Sequence, residues 1–212
     1  MANLLTNPEN FGAVWTTLSQ GVVNVNQAVA PDGTMTADEL VDDGSTGSGS
    51  AGINQSGVTV SASTQYVLSL FAQKNGDDWC GHLPANYTDP ANAWSYFNIS
   101  AGAVGTLDAE HDASGIIQYA DGWWRPYLVF TTSGDTGGAI RFYVCEQDGT
   151  VTLTSLDGSH SIYIWGAVLE EGNYPTDYTS VGGTTVFPVS GRSFVGGITR
   201  DLARDLVSDI VR

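Results

Sequence analysis

Residues 161–169 read SIYIWGAVL and residues 65–73 read QYVLSLFAQ. A β-strand sends successive side chains to opposite faces. In the second stretch Tyr66, Leu68, Leu70 and Ala72 therefore share one face, with Val67, Ser69 and Phe71 on the other. In the first, strict alternation sets Ile162, Ile164, Gly166 and Val168 against Tyr163, Trp165, Ala167 and Leu169. Both stretches are apolar on both faces, so each is expected to lie centrally in a sheet and to be covered twice.

Working outward, the same β-rich pattern recurs at Gly21–Ala30, Gly33–Val41, Gly57–Val60, Ala93–Ser100 and Gly115–Tyr119, and again at Trp123–Thr132, Ala139–Glu146 and Val151–Thr154. Turn signals separate these runs, among them Asn75-Gly76, Asp121-Gly122, Asp148-Gly149 and Asp157-Gly158, dipeptides that supply the positive φ of tight hairpins. About ten short strands with no helical period between them indicate an all-β antiparallel β-sandwich of the jelly-roll kind. The stretch Gly44–Gly52, GSTGSGSAG, reads as a flexible loop or unpaired edge.

The chain has 212 residues, enough for one well-buried β domain. Its 26 glycines are scattered without period, which excludes a collagen-like chain. Seven basic residues face 23 acidic ones, a formal net charge of −16. So acidic a surface repels phosphate and argues against nucleic-acid binding. No apolar run of about 18 residues is present to insert into a membrane, and the first twenty residues lack the basic start and apolar stretch of a signal peptide. Cys80 and Cys145 are too few for a disulfide scaffold, and spacing leaves open whether they pair.

Charge is unevenly distributed. Residues 1–180 hold Lys74, Arg125 and Arg141 against twenty acids, whereas residues 181–212 hold four arginines against three aspartates. The boundary near Gly182-Gly183 divides a jelly-roll body, 1–180, from an attachment or oligomerisation segment, 181–212. In that segment Ile198, Leu202, Leu206 and Ile210 repeat every four residues, lining one stripe if helical. Arg200 and Arg204 alternate with aspartates and offer ion pairs along the same helix. So short a helix needs a partner surface, either its own sandwich or another subunit or assembly.

Motifs of catalysis are missing: there is no HExxH, GxSxG, CxxC or Walker-type loop, and the chain reads as a non-enzyme. His82, His111 and His160 all lie near expected loops. The cluster Asp108–Asp112, with Glu110 and His111, reads as a solvated acidic turn, with a metal site as the alternative, since carboxylates suit calcium and imidazole suits zinc. Aromatic side chains are more informative, because sugar rings stack their C–H faces on flat aromatic rings while polar side chains take the hydroxyls. Asp77, Asp78, Trp79 and His82, with Tyr87 and Trp94, offer both kinds of group and form the candidate glycan site. Of the adjacent pair Trp123-Trp124, one indole is expected inward and the other outward.

Five segments, in this order, resemble the carbohydrate-binding-module-like jelly rolls of bacteriophage virion proteins. They are Asn3–Pro8 with Phe11 and Trp15, Ala30–Asp38 (APDGTMTAD), Gln65–Lys74, Asp121–Arg125 (DGWWR) and Ile162–Gly172 (IYIWGAVLEEG) with Tyr174–Tyr178 (YPTDY). The resemblance covers residues 3–180 and implies that the opening segment is the first strand. Two positions depart from the family pattern: Val168 stands where glutamine is usual, and Pro126 stands where a strand normally continues, which places that strand at an edge.

The resemblance implies a virion surface structural protein, of tail-fibre or receptor-binding type, that displays the jelly roll for adhesion to host glycan and is anchored through its C-terminal segment. It further implies other virion proteins as partners and a homo-oligomer, a trimer by analogy with phage fibres. A capsid or tail decoration protein without ligand is the first alternative, and a polysaccharide depolymerase the second. Related sugar-binding jelly rolls often carry a structural calcium where first and last strands meet; Asn7, Glu9 and Glu170 occupy comparable ends here, and their oxygens suit that ion.

Overall fold

The computed structural model describes residues 2–189. The chain forms β1 (Thr16–Ser19), β2 (Gly21–Ala28), β3 (Ala37–Asp42), β4 (Ala51–Thr59), β5 (Gln65–Lys74), β6 (Trp79–Ala85) and β7 (Ser95–Asn98). It continues through β8 (Ala103–Leu107), β9 (Ala113–Gln118), β10 (Trp124–Thr131), β11 (Gly137–Cys145), β12 (Ser161–Glu171), β13 (Tyr178–Thr179) and β14 (Thr185–Val186). Two six-stranded antiparallel sheets result, in the orders β1-β4-β11-β6-β7-β8 and β2-β3-β12-β5-β10-β9, with β13 and β14 as a small hairpin. We call the first sheet A and the second sheet B. The all-β sandwich expected from alternation is the observed architecture.

The main core lies between the sheets. Sheet B contributes Tyr66, Leu68, Leu70 and Ala72 from β5, Ile162, Ile164, Ala167 and Leu169 from β12, and Leu128 and Phe130 from β10. Sheet A contributes Ile53, Cys80, Phe97, Ile140, Phe142 and Val144. A second apolar cluster sits on the outer face of sheet B, made of Phe71, Tyr119, Trp123, Trp165 and Val168 under Tyr178 and Val186. The central strand β12 is thus covered on both faces, as its composition requires.

Strict alternation fails in one place along β12. Its register with β5 shifts between Trp165↔Phe71 and Val168↔Ser69, so one extra residue is inserted. Gly166 absorbs this bulge at φ 59, a left-handed conformation that disfavours a Cβ. Beyond the bulge the faces exchange: Ala167 and Leu169 join Ile164 inside, and Val168 joins Trp165 outside. The pairing of faces expected for residues 166–169 is corrected accordingly.

Other boundaries move for identifiable reasons. Residues 3–15 form turns and bends rather than a first strand, with Asn7 at φ 47 followed by the donor-less Pro8. They nevertheless run beside the second half of β12: Leu4 N donates to Leu169 O at 2.8 Å, and Leu169 N donates to Asn3 Oδ1 at 3.1 Å. Gly57–Thr59 is the far end of the longer β4, which already begins inside the expected glycine loop at Ala51, and Val60 follows it. Val151–Thr154 makes a single bridge, Leu153 to Gly49, and is no strand. β6 was hidden by its glycine and proline.

Pro126 does not place β10 at an edge. β10 lies between β9 and β5; Pro126 pairs with Ile116 on one side, and on the other the ladder lapses between Trp124↔Ala72 and Tyr127↔Ser69. The missing donor removes a rung there. Of the two adjacent indoles, Trp123 is buried beneath the outer cover of sheet B and Trp124 packs half-buried against the main core.

Buried polar groups tie the chain ends to sheet B. The Arg125 guanidinium lies over the rings of Phe71 and Tyr178, at 5.1 and 5.9 Å, and donates to Ser69 Oγ and Thr176 O. Glu170 accepts from Thr176 N and Oγ1, while Glu9 accepts from Tyr178 OH and Val181 N. The packing continues past residue 180, since Val186 is buried and Val189 N donates to Gln118 O. The stripe Ile198, Leu202, Leu206 and Ile210, with Arg200 and Arg204, lies outside the described residues. Cys80 faces the main core and Cys145 the outer face of sheet A; both are free.

Gly166→Ala is expected to destabilise the fold. A Cβ there would lie 2.9 Å from the Phe71 ring, in addition to about 1–2 kcal/mol for a left-handed backbone carrying a side chain. Urea unfolding should show a midpoint lowered by at least that equivalent, and an unchanged midpoint would contradict the bulge.

Candidate functional site

The outer face of sheet A is assembled by register. Antiparallel pairing places Tyr143 of β11 opposite Gly52 of β4 and Gly81 of β6, and Gly81 opposite Tyr96 of β7. Side chains at these positions point away from the core, because Phe142 and Val144 on either side of Tyr143 point into it. Trp79, two residues before Gly81, and Trp94, just before β7, join the same cluster with Tyr96, Tyr143, Cys145, Leu18 and Val151.

Glycines let the rings settle on the sheet. A Cβ on Gly52 would lie 2.6 Å from the Tyr143 ring, and one on Gly105 would lie 2.5 Å from the Trp79 ring. Trp94 stacks on Tyr96 with ring centroids 6.0 Å apart and an interplanar angle of 15°, and meets Tyr143 edge-on at 5.0 Å. Tyr96 and Tyr143 are buried below, while Trp79 and Trp94 remain half-buried with indole surface open to solvent. Burial pushes the Tyr96 phenol up to about 12 and raises that of Tyr143, so both hydroxyls stay protonated and act as neutral hydrogen-bonding groups near neutral pH.

Polar groups border this shelf. Asp148 sits beside the Trp79 ring above Gly105, and its carboxylate accepts from Thr106 N at 2.7 Å and Thr106 Oγ1 at 3.1 Å. Arg141, two residues before Tyr143, donates from Nε to Asn54 Oδ1 at 3.1 Å. Asn54 in turn donates to Ser56 Oγ and Thr16 Oγ1. Flat apolar rings flanked by fixed donors and acceptors suit a ligand with alternating C–H and hydroxyl surfaces.

Of the residues expected from sequence, Trp79 and Trp94 come together here. Asp77 is buried in the β5–β6 turn and bound to His160 Nδ1 at 3.1 Å, and Asp78 is ion-paired with Lys74. His82 points into the core between Phe97 and Phe142, each 4.8 Å away, and not into a loop. Tyr87 is also interior, 5.6 Å from Phe130. Tyr96, Tyr143, Arg141, Asn54 and Asp148 escaped sequence reading, because strand register unites them and no spacing along the chain does.

The remaining candidates have other roles. His111 turns inward, its Nδ1 2.6 Å from Ser95 Oγ, and Asp112 accepts from Gln65 and Thr131. Among the described residues no group of three or more His, Cys, Asp or Glu is placed to hold a metal. Asn7 and Glu9 line one hollow, and Glu170 lines its neighbour with Arg125. The charged groups of that second hollow, about 500 Å³, are engaged by Thr176 of the covering segment.

No protein-family model and no curated protein matches the sequence. Solved structures of similar shape include a bacteriophage CBA120 tailspike protein 4 enzymatically active domain, with TM-score 0.47 and 16% identity over 80% of this chain. This chain spans 21% of that one. Another is TmCBM61 in complex with β-1,4-galactotriose, with TM-score 0.47 and 13% identity, covering 81% of this chain and all of that one. A third is the CBM22-1–GH10 portion of Clostridium thermocellum xylanase 10B complexed with xylohexaose, with TM-score 0.43 and 13% identity over 82% of this chain and 29% of that one. At these scores the likeness is a partial one of shape, and function has to be argued from the residues.

The histidines set a pH dependence. Burial holds His82 down at about 3 and His111 at about 4, below the ordinary 6.5. A group with a depressed folded value contributes stability above its unfolded value and loses it as pH falls. Burial works against protonation of His160 too, but the hydrogen bond and charge of Asp77, with Glu146 and Asp42, outweigh it and raise its value. Its contribution is therefore complete below about 6.5 and fades as pH rises. Stability should peak near neutrality and fall toward pH 4, His82 alone accounting for about 3 kcal/mol. Urea unfolding across this range should give a shallower acid limb for His82→Leu than for the native chain; equal limbs would remove His82 as the cause.

Proposed function

We propose that this chain is a non-catalytic glycan-binding jelly roll of a virion surface, binding through the outer face of sheet A. The observation that carries the reading is the pair of half-open indoles, Trp79 and Trp94, resting on a glycine-floored sheet with Tyr96 and Tyr143 beneath them. Rings held flat by the sheet require little ordering on binding, so stacking is not offset by side-chain entropy. The five segments that resemble phage virion jelly rolls support the virion setting and the adhesive role. Attachment through residues 181–212 belongs to the same proposal; its support is the exposed apolar trail Val181, Phe187 and Val189 at the end of the described chain.

Glycan-array or affinity-gel binding tests the site. Trp94→Ala and Trp79→Ala should each weaken binding about tenfold, the scale of one lost stacking contact. Binding equal to the native chain in both variants would discard this face. Release of reducing ends from a bound polysaccharide would replace the reading with a depolymerase, and a folded chain that binds no glycan would leave an architectural decoration protein. A chain ending at Val189 and carrying Val181→Ser, Phe187→Ser and Val189→Ser should still unfold cooperatively yet fail to join particles; continued incorporation would reject the attachment role.

A further inference from the structure

The glycan face has an unusual electrostatic feature. Among the described residues three Lys and Arg side chains face twenty carboxylates. Lys74 is ion-paired with Asp78, and Arg125 is buried beneath the covering segment of sheet B. Arg141 alone of the three is a half-exposed cation without a carboxylate: among the described residues no ion pair forms on it, and its Nε is held by the neutral amide of Asn54. A guanidinium stays protonated at any physiological pH. Partly desolvating it without a counter-ion is unfavourable, and in so acid-rich a chain it calls for an anion from elsewhere.

Position gives that anion its context. Arg141 shares the outer face of sheet A with the indole shelf: it pairs across the strands with Leu83 and Asn54. Its charge and hydrogen bonding also act on the Tyr143 hydroxyl. Trp94 meets Tyr143 and packs against the cluster of Leu83, Ala85 and Ala139, so the guanidinium and the stacking surface border the same group of side chains. The Asn54 amide orients the fork through Nε and leaves both Nη groups without an acidic partner.

We propose that the ligand of this face is an acidic glycan whose sugar carboxylate is taken by Arg141 while a neighbouring ring stacks on Trp94. This rests on the glycan-binding reading above and narrows it to carboxylate-bearing sugars, whose planar oxygens match the guanidinium fork. The body's overall acidity does not forbid it, since charges beyond about 8 Å are largely screened at physiological salt. The same acidity disfavours polyanions at sites away from Arg141 and so sharpens the choice.

The test uses the full chain on an array of neutral, uronate-, sialate- and sulfate-bearing oligosaccharides, followed by calorimetry on the best binder before and after reduction of its carboxylates to alcohols. The expected result is preference for a carboxylate-bearing glycan. Binding should weaken tenfold or more on carboxylate reduction and similarly in Arg141→Gln, with a smaller loss in Arg141→Lys, which keeps the charge but not the fork. Reduction leaves the protein untouched, so a folding defect cannot imitate that result. Equal binding of the reduced ligand, or of Arg141→Gln, overturns the proposal, as does preference for sulfate. Neutral-glycan binding that is lost in Trp94→Ala but kept in Arg141→Gln would overturn this inference while leaving the glycan site standing; no glycan binding at all would overturn both.

Discussion

Sheet B is apolar on both faces, and the rest of the molecule is arranged to cover it twice. Its inner face meets sheet A in the main core, and its outer face carries Phe71, Trp123 and Trp165. A second layer therefore has to close over those rings, and the chain ends supply it. Residues 3–9 run beside β12, and residues 174–189 lie across the outer cluster, where Tyr178 and Val186 complete the packing. The burial of Arg125 and Glu170 follows from the same covering, because both bind Thr176 of the overlying segment. Their charges are stabilised inside the seam by hydrogen bonds and by the aromatic faces beneath Arg125.

The two sheets therefore differ in how their outer faces are covered. With the middle of sheet B covered, Tyr127, Tyr163 and Tyr174 still meet solvent on that side, and the half-open indoles Trp79 and Trp94 lie on the outer face of sheet A. Glycines at 52 and 105 act there as flooring, allowing Tyr143 and Trp79 to lie down where a side chain would have propped them up. The result is a rigid shelf with an acid, Asp148, beside Trp79 and a guanidinium, Arg141, two residues from Tyr143. Its rigidity comes from the sheet beneath it and not from loops.

The β-sandwich, the central position of β5 and β12, and the interior parity of Tyr66, Leu68, Leu70 and Ala72 were legible from alternation, which is a local property of the backbone. So was the division of the two indoles at 123–124 between opposite faces of the sheet. Trp79, set between aspartates and a turn, and Trp94, near Asn92, were legible only as candidates, because a ring in the core and a ring on an outer face follow the same alternation. The bulge at Gly166 was not legible: one inserted residue inverts every later face, and only pairing with Phe71 and Ser69 shows where the insertion falls. The same holds for His82 and Tyr87, whose short-range setting resembles a loop but whose strand and core contacts turn them inward.

By itself the sequence determined the class of fold and the double covering of two strands, since period-two hydrophobicity and the demand to bury it are set residue by residue. Tertiary structure alone assembled the candidate site. Arg141, Asn54, Tyr143, Tyr96 and Trp79 lie on four different strands, and hydrogen-bond register, which no spacing along the chain encodes, brings them onto one face.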